Sequence, residues 1–297
     1  MTDSPILVVG ATGQLGGTIA RALLAAGKPV RALARDASRL APLRDAGAEV
    51  AAVDLRNLAG LTDACRGASQ IVATANNNLG SGDRSPTKID VSAYQNLCAA
   101  ARNTGVRRLV YTSFRGVDQF SPVDIFRLKW YVEDAIRRSG VPHVMLRPTA
   151  FMETWIDGML LADMRRAGTA RIFGPGTNVT NYIAIADVAA FAVRILDRDD
   201  VVNEAVEVGG PSDLSMNDLV TLIERRLGIK AKRRHVPVAA LRWLPPLVRP
   251  FSEVQARLMT LGYHAATVPG AFPGWKAAAD RFGVAPRSVD DHLAALA

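Results

Sequence analysis

The first apolar run of the chain, Ile6-Leu-Val-Val9, breaks at once into Gly10-Ala-Thr-Gly13-Gln-Leu-Gly16-Gly17, where Gly10, Gly13 and Gly16 stand three residues apart. A short unbroken apolar run predicts a buried strand. Apolar positions three and four apart over Gln14–Ala26 predict a helix, with Gly27 as its C-cap. The alternation then repeats. Strands are expected at Pro29–Arg35, Glu49–Val53, Ser69–Ala75 and Arg107–Thr112, between helices that end at Ala46 or run over Leu58–Cys65 and Thr87–Thr104. A helix Ser121–Ser139 and a sixth strand Val141–Pro148 continue the series. Strands in regular alternation with helices imply an α/β fold with a parallel, doubly wound sheet and right-handed crossovers.

Beyond Pro148 the pattern loosens. A helix is expected over Phe151–Arg166, a strand over Thr180–Ile185, a helix over Asp187–Leu196 and a strand over Ala205–Val208. Ser215 N-caps a further helix, Ser215–Leu227. The stretch Pro237–Trp275 carries several prolines with Trp243, Leu244, Leu247, Phe251, Met259 and Tyr263, and is expected to form a small lobe over a cleft. The expected division is a first domain, 1–150, that also uses 178–210, and a smaller substrate or partner lobe made of 151–177 and 211–297.

Composition narrows the class. Of the 297 residues 49% are hydrophobic and 22% charged, which describes a soluble globular protein with room for one large α/β domain or a domain plus a lobe. No apolar run reaches the ~18 residues of a spanning helix, and Met1–Pro5 is polar, so no signal peptide, anchor or membrane partner is expected and the cytoplasm is the expected compartment. Cys65 and Cys98 read as small buried hydrophobes in a reducing compartment, neither metal ligands nor a disulfide framework. His143, His235, His264 and His292 do not cluster, and no metal site is expected. His143 reads as a core or edge residue.

A net charge of +8 and a pI near 9.9 suit anionic ligands, a phosphorylated cofactor among them. The one concentrated basic run is Arg225–His235, with Lys230, Lys232, Arg233 and Arg234. No aromatic residues interleave with it, so nucleic acid is not an expected partner.

The glycine turn carries the clearest chemistry. Gly10 would end the strand at positive φ, Gly13 would let backbone N–H groups approach an anion, and Gly16 would let the helix lie against the strand. The helix N-terminus would then hold a pyrophosphate. Arg35 stands at the end of the second strand, where an NAD-type site would place an acid, and a guanidinium there suits a 2′-phosphate; Asp36 beside it is the competing residue. Asp54 would read an adenine edge or N-cap the next helix. Asn76, Asn77 and Asn78 would offer amides to a cofactor or simply form a turn. In a doubly wound sheet Gly10–Gly16, Arg35, Asp54, Asn76 and Ser113 converge outside the carboxyl ends of the strands.

Together, Gly10-Ala-Thr-Gly13-Gln-Leu-Gly16, Arg35, Lys129 with Glu133 before Ser-Gly-Val-Pro, Leu-Arg147-Pro148 and Ile185-Ala-Asp187-Val-Ala resemble the NmrA-like branch of the atypical short-chain dehydrogenases/reductases. The resemblance runs from the first glycine to Phe282-Gly-Val-Ala-Pro-Arg-Ser-Val. It implies a Rossmann-type domain with a small C-terminal lobe and NADP(H), preferred over NAD(H), on Gly10, Thr12, Gly13, Gln14, Leu15, Gly16, Arg35, Asp54, Leu55, Asn76, Ser113, Lys129 and Pro148. Lys129 would fix the nicotinamide ribose or act as general acid. The superfamily's tyrosine, four residues before the lysine, is here Ile125, which removes the usual acid and leaves Ser113 without its partner. Hydride transfer to a quinone or similar conjugated carbonyl survives that loss. So does a catalytically silent NADP(H)-sensing protein acting through a protein partner. Phe151, Trp155 and Tyr182 would wall a substrate pocket or serve as core, and Tyr182 and His264 are candidate stand-in acids.

Overall fold

The computed structural model describes residues 4–76 and 86–297, the turn 86–90 by its backbone alone. The chain forms two units: Met1–Phe120, Phe126–Arg147 and Val188–Val206 make the first; Ser121–Ile125, Pro148–Asp187 and Glu207–Ala297 make the second. Against the expected division, residues 121–125, 148–150, 178–187 and 207–210 lie in the second unit, where the strand Val179–Ile183 pairs with Ser212–Ser215 and with Ala150–Phe151.

In the first unit, β1 (Ile6–Val9), α1 (Gln14–Ala25), β2 (Val30–Ala34), α2 (Ala41–Asp45), β3 (Glu49–Ala52), α3 (Leu58–Cys65), β4 (Gln70–Ala73), α4 (Pro86–Asn103), β5 (Arg108–Thr112), α5 (Asp124–Arg138) and β6 (His143–Pro148) follow in order. A seven-stranded sheet has the order β10-β6-β5-β4-β1-β2-β3, where β10 is Glu204–Val208. The pairs β1–β2, β1–β4, β2–β3, β4–β5 and β5–β6 are all parallel. Strand order reverses between β1 and β4, the switch point at which such sheets bind ligands. Every residue of β1, β4 and β5 is buried; β1 is apolar throughout, whereas β4 and β5 also bury Gln70, Arg108 and Thr112. One core gathers Leu7, Val9, Leu33, Ile71, Tyr94, Leu97, Leu109, Tyr111, Val132 and Met145, with both cysteines inside it.

A buried cation completes the unit. Arg108 on β5 donates to Gln70 Oε1 and to the carbonyls of Ile195, Leu196, Arg198 and Val201, so it closes the C-terminus of α7 (Ile185–Leu196). His143, buried in β6 between β5 and β10, turns Nδ1 to Val141 O at 3.0 Å. It is a core residue rather than an edge one.

The second unit carries β7 (Ala150–Phe151), a π-helix Glu153–Leu161, α6 (Ala162–Ala167), β8 (Thr169–Phe173), β9 (Val179–Ile183), β11 (Ser212–Ser215), α8 (Met216–Leu227), β12 (Lys232–Val236), α9 (Val238–Trp243), α10 (Pro245–Val248), α11 (Glu253–Thr267), α12 (Trp275–Phe282) and α13 (Val289–Ala294). A small sheet orders β11-β9-β7, and β12 pairs parallel with β8. The expected regular helix 151–166 is corrected: it opens as a strand paired with β9 and continues as a π-helix before α6 begins. Ser215 does cap α8, in a capping box with Asp218. Much of the basic run lies on β12, where Arg233 pairs with Glu224, while Arg226 pairs with Asp290.

Candidate functional site

The site of the first unit grows from the turn between β1 and α1. Gly10 has φ +85°, and a Cβ on it would lie 2.7 Å from Ala75 N and 2.9 Å from Thr74 Oγ1. A Cβ on Gly16 would lie 2.3 Å from Gly10 O and 2.6 Å from Thr74 Oγ1, so α1 can reach β1 and the loop after β4 only through glycine. Gly13 differs. It is exposed, and among the described residues its Cβ would approach only Gly10 O, at 3.3 Å, so no described residue fills the space beside it.

Gly13 caps α1 without a side chain, and the first turn holds no acid. The amides of that turn therefore present hydrogen bonds and the positive end of the helix dipole toward the open side of Gly13. Thr12 is half-buried, Gln14 is exposed and Leu15 is buried under the turn. Such an arrangement can hold a phosphate group.

Arg35 follows β2, exposed, with no hydrogen bond or ion pair among the described residues. Its competitor Asp36 is already engaged. Asp36 Oδ1 accepts from Ser38 N at 2.9 Å and Ser38 Oγ at 2.7 Å, and these bonds hold its carboxyl below the ordinary value. Arg39, not singled out in the sequence, is exposed and close enough to Asp36 to add to that effect.

After β3, Asp54 does not cap α3; Asn57 does, accepting from Gly60 N at 3.0 Å. Asp54 instead takes Arg56 through Nε at 2.9 Å and Nη2 at 2.8 Å, which drives its pKa down to about 2. Leu55 is half-buried against the core and its carbonyl accepts from Asn96 Nδ2. Asn76, exposed after β4, donates to Thr74 O at 3.2 Å; Asn77 and Asn78 lie outside the described residues.

Lys129, 2% exposed on α5, donates from Nζ to Thr112 O at 3.0 Å and sits 4.6 Å from the ring centre of Tyr111 and 5.4 Å from that of Phe114. A carbonyl and two ring faces stabilise a charge that burial alone would disfavour. Beside it, Thr112 Oγ1 and Ser113 Oγ are buried with no hydrogen-bond partner. Buried hydroxyls without partners are rare, and a ligand is one thing that satisfies them. No sequence signal marks the aromatic pair, since Tyr111 lies inside an apolar strand and Phe114 just beyond its end.

One turn beyond Lys129, Glu133 is fully buried and takes Arg147 bidentately at 3.0 and 2.6 Å, with Arg137 as a second partner. These motif residues bind one another and fix α5 to β6. Ile125, one turn before Lys129, is buried and offers no proton.

In the second unit Pro148 is buried at the end of β6, Phe151 is half-buried in β7, and Trp155 packs edge-on against Phe173 at 6.3 Å. Tyr182 lies in that unit's core, where desolvation pushes its phenol pKa far up although Thr180 hydrogen-bonds it. Its placement is that of a core residue rather than a wall of open space. Burial lowers the His264 pKa, which leaves a neutral ring at pH 7, a poor acid. His292 contacts Asp157 at 2.8 Å, and among the described residues no group of His, Cys, Asp or Glu could hold a metal ion. Among the described residues no helix is long and apolar enough to cross a membrane.

Gly10, Arg35, Asp54, Asn76 and Ser113 thus each follow the carboxyl end of a strand, along one edge of one sheet. A doubly wound sheet with an uncapped glycine-turn helix at its switch point defines a protein of the nucleotide-binding class. More closely, the chain belongs to the NmrA-like family, whose model matches residues 2–261.

The chain is 33% identical over 274 residues to (4-alkanoyl-5-oxo-2,5-dihydrofuran-3-yl)methyl phosphate reductase of Streptomyces griseus, covering 89% of this chain and 90% of that protein. It is 28% identical over 236 residues to the photosystem II assembly factor Ycf39 of Cyanophora paradoxa, covering 80% and 73%. The crystal structure of an NADPH-dependent quinone oxidoreductase of Escherichia coli, complexed with NADPH, superposes with a TM-score of 0.79 at 21% identity, covering 98% and 99% of the two chains, and so shares the fold.

Proposed function

We propose that the protein is an NAD(P)H-dependent reductase that prefers NADPH and delivers hydride to a quinone or a similar conjugated carbonyl. The observation that carries this reading is the buried Lys129 ammonium, held on Thr112 O beside the partnerless hydroxyls of Thr112 and Ser113. The reductase among the relatives supports the reaction class.

The cofactor, when bound, supplies the hydride. The chain's own groups do the rest. The amides of the first turn of α1 hold the pyrophosphate in the open space at Gly13, and Arg35 meets the 2′-phosphate while Asp36 stays in its turn with Ser38. Ser113 Oγ, Thr112 Oγ1 and Lys129 Nζ position the ribose end. A quinone takes the hydride with one proton and becomes a hydroquinone, and that proton comes from water or Lys129 Nζ, so no phenol is required.

The test is NADPH oxidation against a panel of quinones and enones, with NADH as comparison cofactor and Lys129→Met beside the parent. Turnover above the uncatalysed rate that falls by about 100-fold in the variant supports the reading. Tight NADPH binding with no turnover on any acceptor overturns it. Ile125 in the tyrosine position favours a second reading in that event, an NADP(H)-sensing protein that acts through protein contacts.

A further inference from the structure

Between Lys230 and Ser252 the chain carries six cations, Lys230, Lys232, Arg233, Arg234, Arg242 and Arg249, and not one Asp or Glu. Arg233 and Arg249 have ion-pair partners, Glu224 and Asp124. Lys230, Lys232, Arg234 and Arg242 have none among the described residues, and Arg242 lies 4.8 Å from the ring centre of Trp243.

The second half of this segment is apolar on two sides. Leu244 and Arg249 are helical in φ and ψ, and Leu244 N, Val248 N, Arg249 N and Ser252 N donate to carbonyls four residues back, so helical turns run nearly unbroken from Val238 to Phe251, before the extended Ser252. Leu241, Pro245 and Val248, spaced i, i+4, i+7, form the stripe turned away from solvent. Trp243, Leu247 and Phe251, spaced i, i+4, i+8, form a second stripe, 67%, 67% and 90% exposed. Residues at that spacing share one face of a helix. A ridge of three large apolar side chains in water, with the Arg242 guanidinium against Trp243, is not explained by the packing of the unit.

We propose that this ridge docks the protein on the surface of an anionic lipid bilayer, an occupant outside the expectation of no membrane partner and independent of the reductase reading. The order of chemistries matches: Trp, Leu and Phe enter the boundary of headgroups and acyl chains, while arginine and lysine meet the negative headgroups. A second copy of the chain fits worse. Two such ridges facing one another across a twofold axis would bring together two copies of a segment that has six cations and no acid of its own. A nucleic acid would be met by the cations but gives the Leu247 side chain nothing to enter.

The test uses the full chain and sedimentation with vesicles of POPC alone or with about one-third POPG, near 0.15 M salt. The expected result is binding to the POPG vesicles, weakened by added salt, and lost by about tenfold or more in Trp243→Ala/Leu247→Ala/Phe251→Ala. Brominated lipid should quench part of the tryptophan fluorescence, and Trp243→Phe should remove that part. Phe251→Ser, at the most exposed of the three side chains, serves if the triple variant does not fold. No binding by the parent chain, equal binding to both vesicles, equal binding by the ridge variants, or a ridge-dependent dimer or duplex complex in their place overturns the proposal.

Discussion

Gly13 and Gly16 differ in what a methyl group would meet. At Gly16 it meets the Gly10 carbonyl at 2.3 Å, and backbone cannot step aside, so Gly16→Ala should lower unfolding stability by about 2 kcal/mol or more in a urea titration. At Gly13 it meets only a contact at 3.3 Å and open space. Gly13→Ala should leave stability within about 0.5 kcal/mol while weakening NADPH binding measured by nucleotide fluorescence. Unchanged binding would remove Gly13 from the phosphate cradle. Asp54 offers a second test. Arg56 holds its pKa to about 2, below the ordinary 3.8, so its contribution to stability is complete above the ordinary value and lost as pH falls toward 2. A carboxyl NMR titration should give that low midpoint, and Arg56→Ala should return it toward 3.8. The Gly10 and Gly16 roles were legible in the sequence because steric need leaves glycine as its mark. The engagement of Asp54 by Arg56 was not, because a carboxylate before a helix looks the same whether it caps the helix or pairs with an arginine.

At the scale of elements, α5 is fixed by Glu133. Its buried carboxylate holds Arg147 of β6 and Arg137 of its own helix, and Glu133→Ala takes that carboxylate from a partly buried guanidinium, for an expected loss of about 3 kcal/mol in chemical denaturation. A loss within error would mean that water compensates both arginines. Ser215→Ala, which opens the capping box of α8, should cost about 1 kcal/mol by the same measurement. The central strands β1, β4 and β5 could be read from sequence since both faces of each are covered and each holds an apolar run. Strands β8 and β12 could not. Lys232-Arg-Arg-His-Val236 has neither an apolar run nor an alternation, and it is extended because Thr169–Phe173 pairs with it. The π-helix Glu153–Leu161 left no signal either, since its apolar spacing passes for that of an α-helix.

For the whole molecule, the interleaving of the chain decides what can fold alone. The first unit draws Val188–Val206 from beyond the second unit's first long segment, and four of Arg108's carbonyl acceptors lie in that return. A fragment ending at residue 150 would keep the glycine turn and the Lys129 site yet leave Arg108 charged without those acceptors. Such a fragment should show no cooperative urea transition by circular dichroism, whereas the full chain should. A cooperative fragment that still binds NADPH would show that the return segment is dispensable.

The sequence by itself determined the alternation of strands and helices, the parallel doubly wound sheet, the glycine turn between β1 and α1 and the family, because these rest on steric and hydrophobic demands that act on neighbouring residues. Tertiary structure alone decided which residues stand as partners: Asp36 with Ser38, Asp54 with Arg56, Glu133 with Arg147 and Lys129 with the Thr112 carbonyl. It also decided that Tyr182 is core and that Trp243, Leu247 and Phe251 face water, because burial depends on what distant segments bring to the same place.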